Sequence, residues 1–394
     1  MALNLNRRQS VLAGMAALGF SKATASLAES NSLPSAQFAL MTEIARSAIA
    51  AKLFPGITIA AYRNGEPVFT YAAGVGSIEM NAPMAVNSIL RVGSVTKQFT
   101  AAAILLLAED RKLSLDDPLS RTIPEFPNGN TITLRRMLNH TAGLSDYLVT
   151  DPIHMYENLV RKGREEEALL KTLQADKPLF DFPPGQNWAY SNAGYALLSI
   201  VISRVSGQAY SDFMHNRIFA PLGLVDTGVD DDRAVTPRRV MGYTPAANAP
   251  SGFERIFPIP VSLIRGCGDM YSTAGDLCRW QAALLSGKLL KPESLKEMLT
   301  PTRLANGSLP NGLPKENGET DEYGFGLYLA KIEGHRRVGH GGGGFGFGSM
   351  VFTFPEKGFT AAYLVNCDDG GLDPAPSDKP RDAINDALTK VALG

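Results

Sequence analysis

Two residues three positions apart offer the first chemistry in this chain. Ser94 and Lys97 stand in the run Leu90-Arg91-Val92-Gly93-Ser94-Val95-Thr96-Lys97-Gln98-Phe99-Thr100, which continues through apolar residues to Leu107. The pattern reads as a strand end, a Gly93 hinge and a long helix beginning at Ser94. Residues at i and i+3 share a helix face, so the hydroxyl and the ammonium point the same way. A serine hydroxyl is a weak nucleophile at neutral pH until a base takes its proton. Apolar neighbours would desolvate Lys97 and lower its pKa, which suits it to that task. Backbone N–H groups at a helix start also favour negative charge beside Ser94. Taken alone, S-x-x-K recurs by chance. The plain alternative makes Ser94 a helix N-cap and Lys97 a solvated side chain.

The elements that must position this pair can be read on both sides of it. Phe38, Met41, Ile44, Ala45 and Ala48 recur at helical spacing and predict a helix over about 35–52. Gly56 to Tyr62 and Pro67 to Ala73 are β-rich runs around Asn64-Gly65, a strong hairpin signal. Leu113 to Pro127 is rich in Pro and Asp and reads as irregular, and Thr133 to Leu138 as a short helix. His140, in the phrase His140-Thr141-Ala142-Gly143-Leu144, reads as a structural histidine. Residues 150–225 read as largely helical, with a turn at Phe182-Pro183-Pro184-Gly185 and an apolar helix from Ala193 to Val205. The stretch 226–262 lacks periodicity and reads as a long loop near a substrate entrance. Ser272 or Thr273 caps a helix running to Leu285. Phe347 to Phe354 and Phe359 to Val365 form a second hairpin around Pro355-Glu356-Lys357-Gly358, followed by a closing helix over about 380–393.

Strands at both chain ends pair most simply into one antiparallel sheet with the terminal helices on one face. The expected fold is α/β of the α+β kind: that sheet, its two helices and an inserted, mostly helical lobe. The sheet lobe covers about 35–93 and 323–394, and the helical lobe about 94–322, within one catalytic domain over 29–394. The catalytic groove lies between the lobes.

Hydrophobic residues at 44% and charged residues at 20% describe a globular chain. The formal net charge of −1 supplies no basic footprint for nucleic acid. Cys267, Cys278 and Cys367 are too scattered for a disulfide framework and read as buried thiols. His140, His154, His215, His335 and His340 show no metal-ligand spacing, so no metal or cofactor is expected. Gly339-His340-Gly341-Gly342-Gly343-Gly344 formally contains G-x-G-x-x-G, yet a strand follows it where dinucleotide binding needs a helix. At the N-terminus, Arg7-Arg8, the apolar run Val11 to Phe20 and Ala23-Thr24-Ala25 resemble a twin-arginine export signal over 1–28. That run is too short to span a bilayer. The protein is expected to be exported and periplasmic, with a cytoplasmic location as the alternative.

Three motifs stand in chain order: Ser94-Val95-Thr96-Lys97, Tyr190-Ser191-Asn192, and His340-Gly341-Gly342 opening onto a strand. Together they resemble the serine hydrolases of the class C β-lactamase and penicillin-binding-protein superfamily, over about residues 35–390. The resemblance includes Leu134 to Leu144 and Gly268-Asp269-Met270-Tyr271-Ser272-Thr273. It implies that Ser94 becomes acylated and that Lys97 accepts or shares its proton. Tyr190 would be the companion base, its phenolate stabilised by Lys97 and His340 as cations. Asn192 would bind Lys97 and the acyl-side amide. The N–H groups of Ser94 and Gly343 would form an oxyanion hole on a strand edge made of Gly341, Gly342 and Gly343, such donors contributing about 3–4 kcal/mol.

One departure shapes the expected substrate. β-Lactamases of this group usually carry Lys-Thr-Gly where this chain has His340-Gly341-Gly342. The change exchanges a permanent cation for a group expected to titrate near pH ~6.5 and removes a carboxylate-binding hydroxyl. The reading is therefore a carboxylesterase-like hydrolase of small esters or amides. D-stereospecific peptidase, DD-carboxypeptidase or weak β-lactamase activity is the alternative, and a penicillin-binding sensor the non-enzymatic one. An α/β-hydrolase would need G-x-S-x-G, which the chain lacks. Substrate specificity falls to the unpatterned loops at 145–180 and 226–262. Oligomeric state has no signature.

Overall fold

The computed structural model describes residues 35–150, 166–175, 178–256, 260–310, 313, 321–369 and 378–394. The export signal expected over 1–28 lies outside them. Among the described residues, eight antiparallel strands form one sheet in the order β3-β2-β1-β13-β12-β11-β10-β9. These are β1 (Gly56–Arg63), β2 (Glu66–Ser77), β3 (Ala82–Pro83), β9 (Asp321–Tyr323), β10 (Tyr328–Ile332), β11 (His335–Gly344), β12 (Phe347–Phe354) and β13 (Phe359–Val365). The first hairpin turns where expected, with Asn64 and Gly65 both at positive φ (53° and 85°), as a tight two-residue turn requires. The chain ends meet where β1 pairs with β13, from Ile57↔Val365 to Arg63↔Phe359.

Alternation along β1 divides the core. Ile57, Ile59 and Ala61 face the helices Ser35–Ala50 and Asp378–Leu393, packing with Met41, Ala45, Ile384, Leu388 and Val391. Ala60 and Tyr62 point the other way, into the helical middle. With a side-chain period of two, one strand supplies two cores. The helix Thr96–Glu109 is buried at every residue from Thr96 to Leu107, as a helix apolar on all sides must be. Phe99 stacks on Trp280 at 3.9 Å, and the Trp280 indole N–H donates to Gln98 Oε1 at 2.9 Å. Cys267, Cys278 and Cys367 are buried free thiols.

The structure departs from the sequence reading in two stretches. Residues 226–262 were expected to be loop, but they carry β5 (Gly228–Val229), β6 (Tyr243–Pro245) and β7 (Phe253–Arg255). Strands of two or three residues are too short to show a period. Leu113 to Pro127, expected to be irregular, contains a 3₁₀ turn at Leu119–Arg121. A second, three-stranded sheet runs β4 (Leu90–Arg91), β8 (Met270–Ser272), β5. Leu90–Arg91 therefore pairs away from the large sheet, and this small sheet carries the chain to Ser94.

Candidate active site

The approach to Ser94 is held on three sides. Leu90 and Arg91 pair with Ser272 and Tyr271, and Val92 N–H donates to Met270 O at 2.9 Å. Gly93 then takes φ +50°, and a Cβ there would stand 3.0 Å from Gly343 N. The turn needs glycine both for its backbone angle and for the close strand. Ser94 sits on a 3₁₀ turn, Gly93–Val95, and the α-helix begins at Thr96 rather than at Ser94. No side chain caps either start, so the Ser94 hydroxyl is not spent on the helix end.

Lys97 is fully buried. Its Nζ reaches Ser94 Oγ at 3.1 Å, Asn192 Oδ1 at 2.7 Å and Cys267 O at 2.9 Å. Burial lowers its pKa from 10.5 to about 8, against the opposing pull of Cys267 and Asp146. That drop disfavours the ammonium by about 3 kcal/mol. One or two well-buried aliphatic side chains on the same helix, each contributing about 1.5–3 kcal/mol, offset it.

The partners decide where the lone pair of neutral Lys97 points. Cys267 O can only accept. Asn192 Nδ2 donates to Asp146 Oδ2 at 2.8 Å, which fixes the amide and leaves Oδ1 as an acceptor toward Lys97. A neutral amine has two N–H groups, and both are committed to these acceptors. Its lone pair is left for Ser94, the one partner of the three able to donate. Asp146 was not singled out in the sequence, because its contact with Asn192 lies 46 residues away. Burial raises its carboxyl pKa, opposed by hydrogen bonds from Leu148 N–H and Asn192 and by the Lys97 charge.

The turn that presents Cys267 O is itself anchored. Gly266 N–H donates to Asp269 Oδ1 at 3.0 Å, and Thr100 Oγ1 donates to Gly266 O at 2.7 Å. Asp269 is buried, which pushes its pKa up to about 7.

Ser191 caps the helix Asn192–Ser206, its Oγ accepting from Gly194 N–H at 3.3 Å. Asn192 is thereby the helix's first residue, and Tyr190 precedes the cap. The Tyr190 ring centroid lies 4.6 Å from Lys97 Nζ. Its hydroxyl is enclosed and makes no well-aligned hydrogen bond. Burial raises its pKa well above 10, only partly opposed by the neighbouring Ser94 hydroxyl.

His340 requires a correction. The sequence suggested a histidine titrating near neutrality and serving as a cation for Tyr190. It is buried, and burial followed by the Lys97 charge takes its pKa down to about 3. It is neutral, and Tyr190 has Lys97 as its cationic neighbour. His340 Nδ1 bonds Gly341 O, and its Nε2 lies 3.2 Å from Tyr323 Oη. His140 sits on the other side of that hydroxyl with Nε2 at 3.1 Å, and its Nδ1 receives Ser191 N–H at 3.2 Å.

The glycines of β11 divide in two. A Cβ on Gly342 would lie 2.1 Å from Val92 O and 2.9 Å from Ser94 N, so this residue is pressed against the serine turn. Gly343 is exposed, with nothing within 4 Å of an added Cβ. Ser349 on β12 donates to Val92 O at 2.7 Å and stitches sheet to turn. Among the described residues, β10 pairs with β11 only as far as Gly339, which leaves the edge from His340 to Gly344 without a partner on that side. The structure thus brings together Ser94, Lys97, Tyr190, Asn192 and the strand His340-Gly341-Gly342-Gly343. Among the described residues no cluster of metal-ligating side chains occurs.

Fold and site define a serine hydrolase built on a β-lactamase-like sheet with an inserted helical lobe. The chain belongs to the Beta-lactamase family, whose family model matches residues 41–384. It is 30% identical over 320 residues to Penicillin-binding protein 4* of Bacillus subtilis, covering 78% of this chain and 67% of that protein. A D-stereospecific amidohydrolase from Streptomyces sp. superposes with a TM-score of 0.71 at 29% identity, covering 88% of this chain and 97% of the other. A D-amino acid amidase from Ochrobactrum anthropi SV3, solved with L-phenylalanine amide, superposes with a TM-score of 0.75 at 27% identity, covering 90% and 99%. The chain spans 67% and 60% of the lengths of the first two curated relatives it matches.

Proposed function

We propose that Ser94 is the nucleophile of an acyl-serine hydrolase that cleaves small carboxylic esters or amides. The observation that carries this reading is the committed geometry at Lys97, whose neutral form turns its lone pair toward the Ser94 hydroxyl. As Ser94 Oγ bonds the carbonyl carbon, its proton passes to Lys97 Nζ and the carbonyl electron pair moves to oxygen. The N–H groups of Ser94 and Gly343 are the donors for that oxygen, on the unpartnered strand edge. Collapse expels the alcohol or amine, which takes the proton, and leaves an ester on Ser94. Tyr190, a neutral phenol given its burial, relays protons between Lys97 and the leaving group. It does the same for the water that frees the acid. Asn192 holds Lys97 and receives the acyl side of the substrate.

A second reading takes D-amino-acid amides or short D-peptides as the substrates of the same serine. The similarity to the D-stereospecific amidohydrolase and the D-amino acid amidase supports it. β-Lactam turnover is expected to be weak, because neutral His340 provides no cation for the carboxylate of that substrate. Residues 1–28 serve in this account as an export signal to the periplasm, tested by sequencing the N-terminus of the secreted protein.

Initial rates on 4-nitrophenyl acetate, D- and L-phenylalanine amide, and nitrocefin separate these readings. Ester turnover well above both amides supports the esterase. D-amide turnover above ester and L-amide supports the peptidase branch. Nitrocefin turned over faster than all the others would contradict both.

A further inference from the structure

The two histidines on either side of Tyr323 are wired in one direction, and backbone groups set that direction at both ends. At one end, Ser191 N–H points at His140 Nδ1, 3.2 Å away. An amide N–H can only donate, so His140 Nδ1 is unprotonated and neutral His140 carries its proton on Nε2. That N–H faces Tyr323 Oη at 3.1 Å and donates to it. At the other end, His340 Nδ1 faces Gly341 O, which can only accept, so neutral His340 is protonated on Nδ1. Its Nε2 is then an acceptor, 3.2 Å from Tyr323 Oη, and receives the tyrosine proton. Tyr195 does not compete as a donor, because its own hydroxyl donates to Leu138 O at 2.6 Å. The Tyr195 hydroxyl oxygen is a second polar neighbour of Tyr323, but the two make no well-aligned hydrogen bond, and His340 Nε2 is the aligned acceptor for the Tyr323 proton.

We infer that Tyr323 is a positioning residue that, together with His140, locks His340 in its neutral Nδ1–H form, so that the third motif presents no cation beside Ser94. A proton arriving at His340 Nε2 would face the Tyr323 hydroxyl hydrogen. Turning that hydroxyl toward His140 would aim it at Nε2–H, turning it toward Tyr195 would exchange an aligned acceptor for a poorly aligned one, and moving the His140 proton to Nδ1 would aim it at Ser191 N–H. Each step either weakens a hydrogen bond or sets two donors against each other in a buried site.

Among the described residues, the titratable groups around His340 come from five places. Lys97 lies on the central helix, His140 follows the helix Leu134–Leu138, and Tyr190 precedes the cap of Asn192–Ser206. Tyr323 is on β9, and Tyr328 is on β10 with its ring 4.9 Å away. No carboxylate is among these described groups to favour the imidazolium. Burial and the Lys97 charge act in the same sense as the wire and outweigh the Gly341 carbonyl bond, which favours the imidazolium. The specificity of the site thus rests in part on Tyr323, which is buried behind His340.

The test is a two-bond ¹H–¹⁵N correlation on full-length protein labelled at histidine, from pH 5.5 to 9, with His340 and His140 assigned through His340→Asn and His140→Gln. The expected wild-type spectrum shows His340 as the Nδ1–H tautomer and His140 as the Nε2–H tautomer, neither titrating. His340 found as Nε2–H, or as imidazolium anywhere in that range, overturns the inference, and so does the absence of any Nδ1–H tautomer among the histidine signals, which is read without a variant. Tyr323→Phe keeps the ring and removes only the hydroxyl. The Nε2 shifts of both histidines should move while their Nδ1 shifts stay. Unmoved Nε2 shifts would reduce Tyr323 to packing and contradict the wire.

A kinetic arm rests on the Ser94 reading. In the wild type, the ratio of kcat/KM for mono-4-nitrophenyl succinate over 4-nitrophenyl butyrate should stay flat from pH 5.5 to 7. Lys97 is protonated throughout that window, and Asp269, buried beneath the Cys267 turn and titrating near 7, acts on both esters alike, so a change in the ratio reports a free histidine. A ratio climbing about tenfold toward acid would overturn the inference. Absence of ester turnover would sink the esterase reading and leave the spectroscopic result to decide the wire.

Discussion

Ser94 and Ser191 stand just before two of the buried helices, and each is followed three residues later by the group that meets its hydroxyl. At Ser191 that group is a backbone amide, Gly194 N–H, and the serine is an N-cap. At Ser94 it is the Lys97 ammonium, and the helix start behind it carries no side-chain cap. The backbone makes the difference. Ser191 has extended angles (φ −134°, ψ 115°), which turn a short polar side chain back over the first turn. Ser94 lies inside a 3₁₀ turn that has already begun, behind a glycine at positive φ. A hydroxyl that caps is committed to structure. One left uncommitted beside a buried amine is available for chemistry.

The largest expected effect breaks the comparison at Ser94. Ser94→Ala should lower ester or amide hydrolysis by about 10³-fold or more, with its melting temperature within a degree or two of the wild type, because no cap is lost. Rates and thermal melts on the same preparation check both halves.

Lys97→Met comes next, with a loss of about 10²–10⁴-fold. The pH profile sharpens it. The pKa of Lys97 is lowered to about 8, so its base form appears as pH rises through that value. Wild-type kcat/KM should rise about tenfold per pH unit below 8 and level off above it. A profile already flat at pH 6 would mean that Lys97 is not the group being titrated.

Neighbouring glycines give a smaller contrast. Gly342→Ala must push Val92 O or the Ser94 backbone aside and should destabilise the protein by about 1–3 kcal/mol with loss of activity. Gly343→Ala meets nothing and should fold as the wild type does, changing KM or kcat alone. Equal melting temperatures for the two variants would contradict the packing described here.

Ser191→Ala should have the smallest effect, about 1 kcal/mol of stability with activity reduced only slightly. Urea unfolding beside an ester assay measures it.

Much of this was legible in the sequence, for local reasons. Asn64-Gly65 announces its hairpin because few residue pairs accept two positive φ angles. The Ser94–Lys97 spacing is legible because a helical turn converts three positions into one face. What was missed depends on contacts between distant parts of the chain. Asp146 holds Asn192 from 46 residues away, and Tyr323 bridges His140 and His340 across 183 and 17 positions. Short polar contacts of this kind leave no period. The charge of His340 was misjudged for the same reason, since the tertiary fold buries it and nothing in His340-Gly341-Gly342 says so. β5 escaped because two residues pairing with β8 have no pattern of their own.

The central claim is that the uncapped serine, rather than the capping one, takes the acyl group. Acid-quenching the enzyme during steady-state turnover of 4-nitrophenyl acetate, followed by intact-mass measurement and peptide mapping, addresses it directly. The account predicts one added acetyl group, on the peptide containing Ser94, and none on Ser94→Ala. Acylation mapped to Ser191 or to another residue, or an adduct that persists in Ser94→Ala, would contradict it.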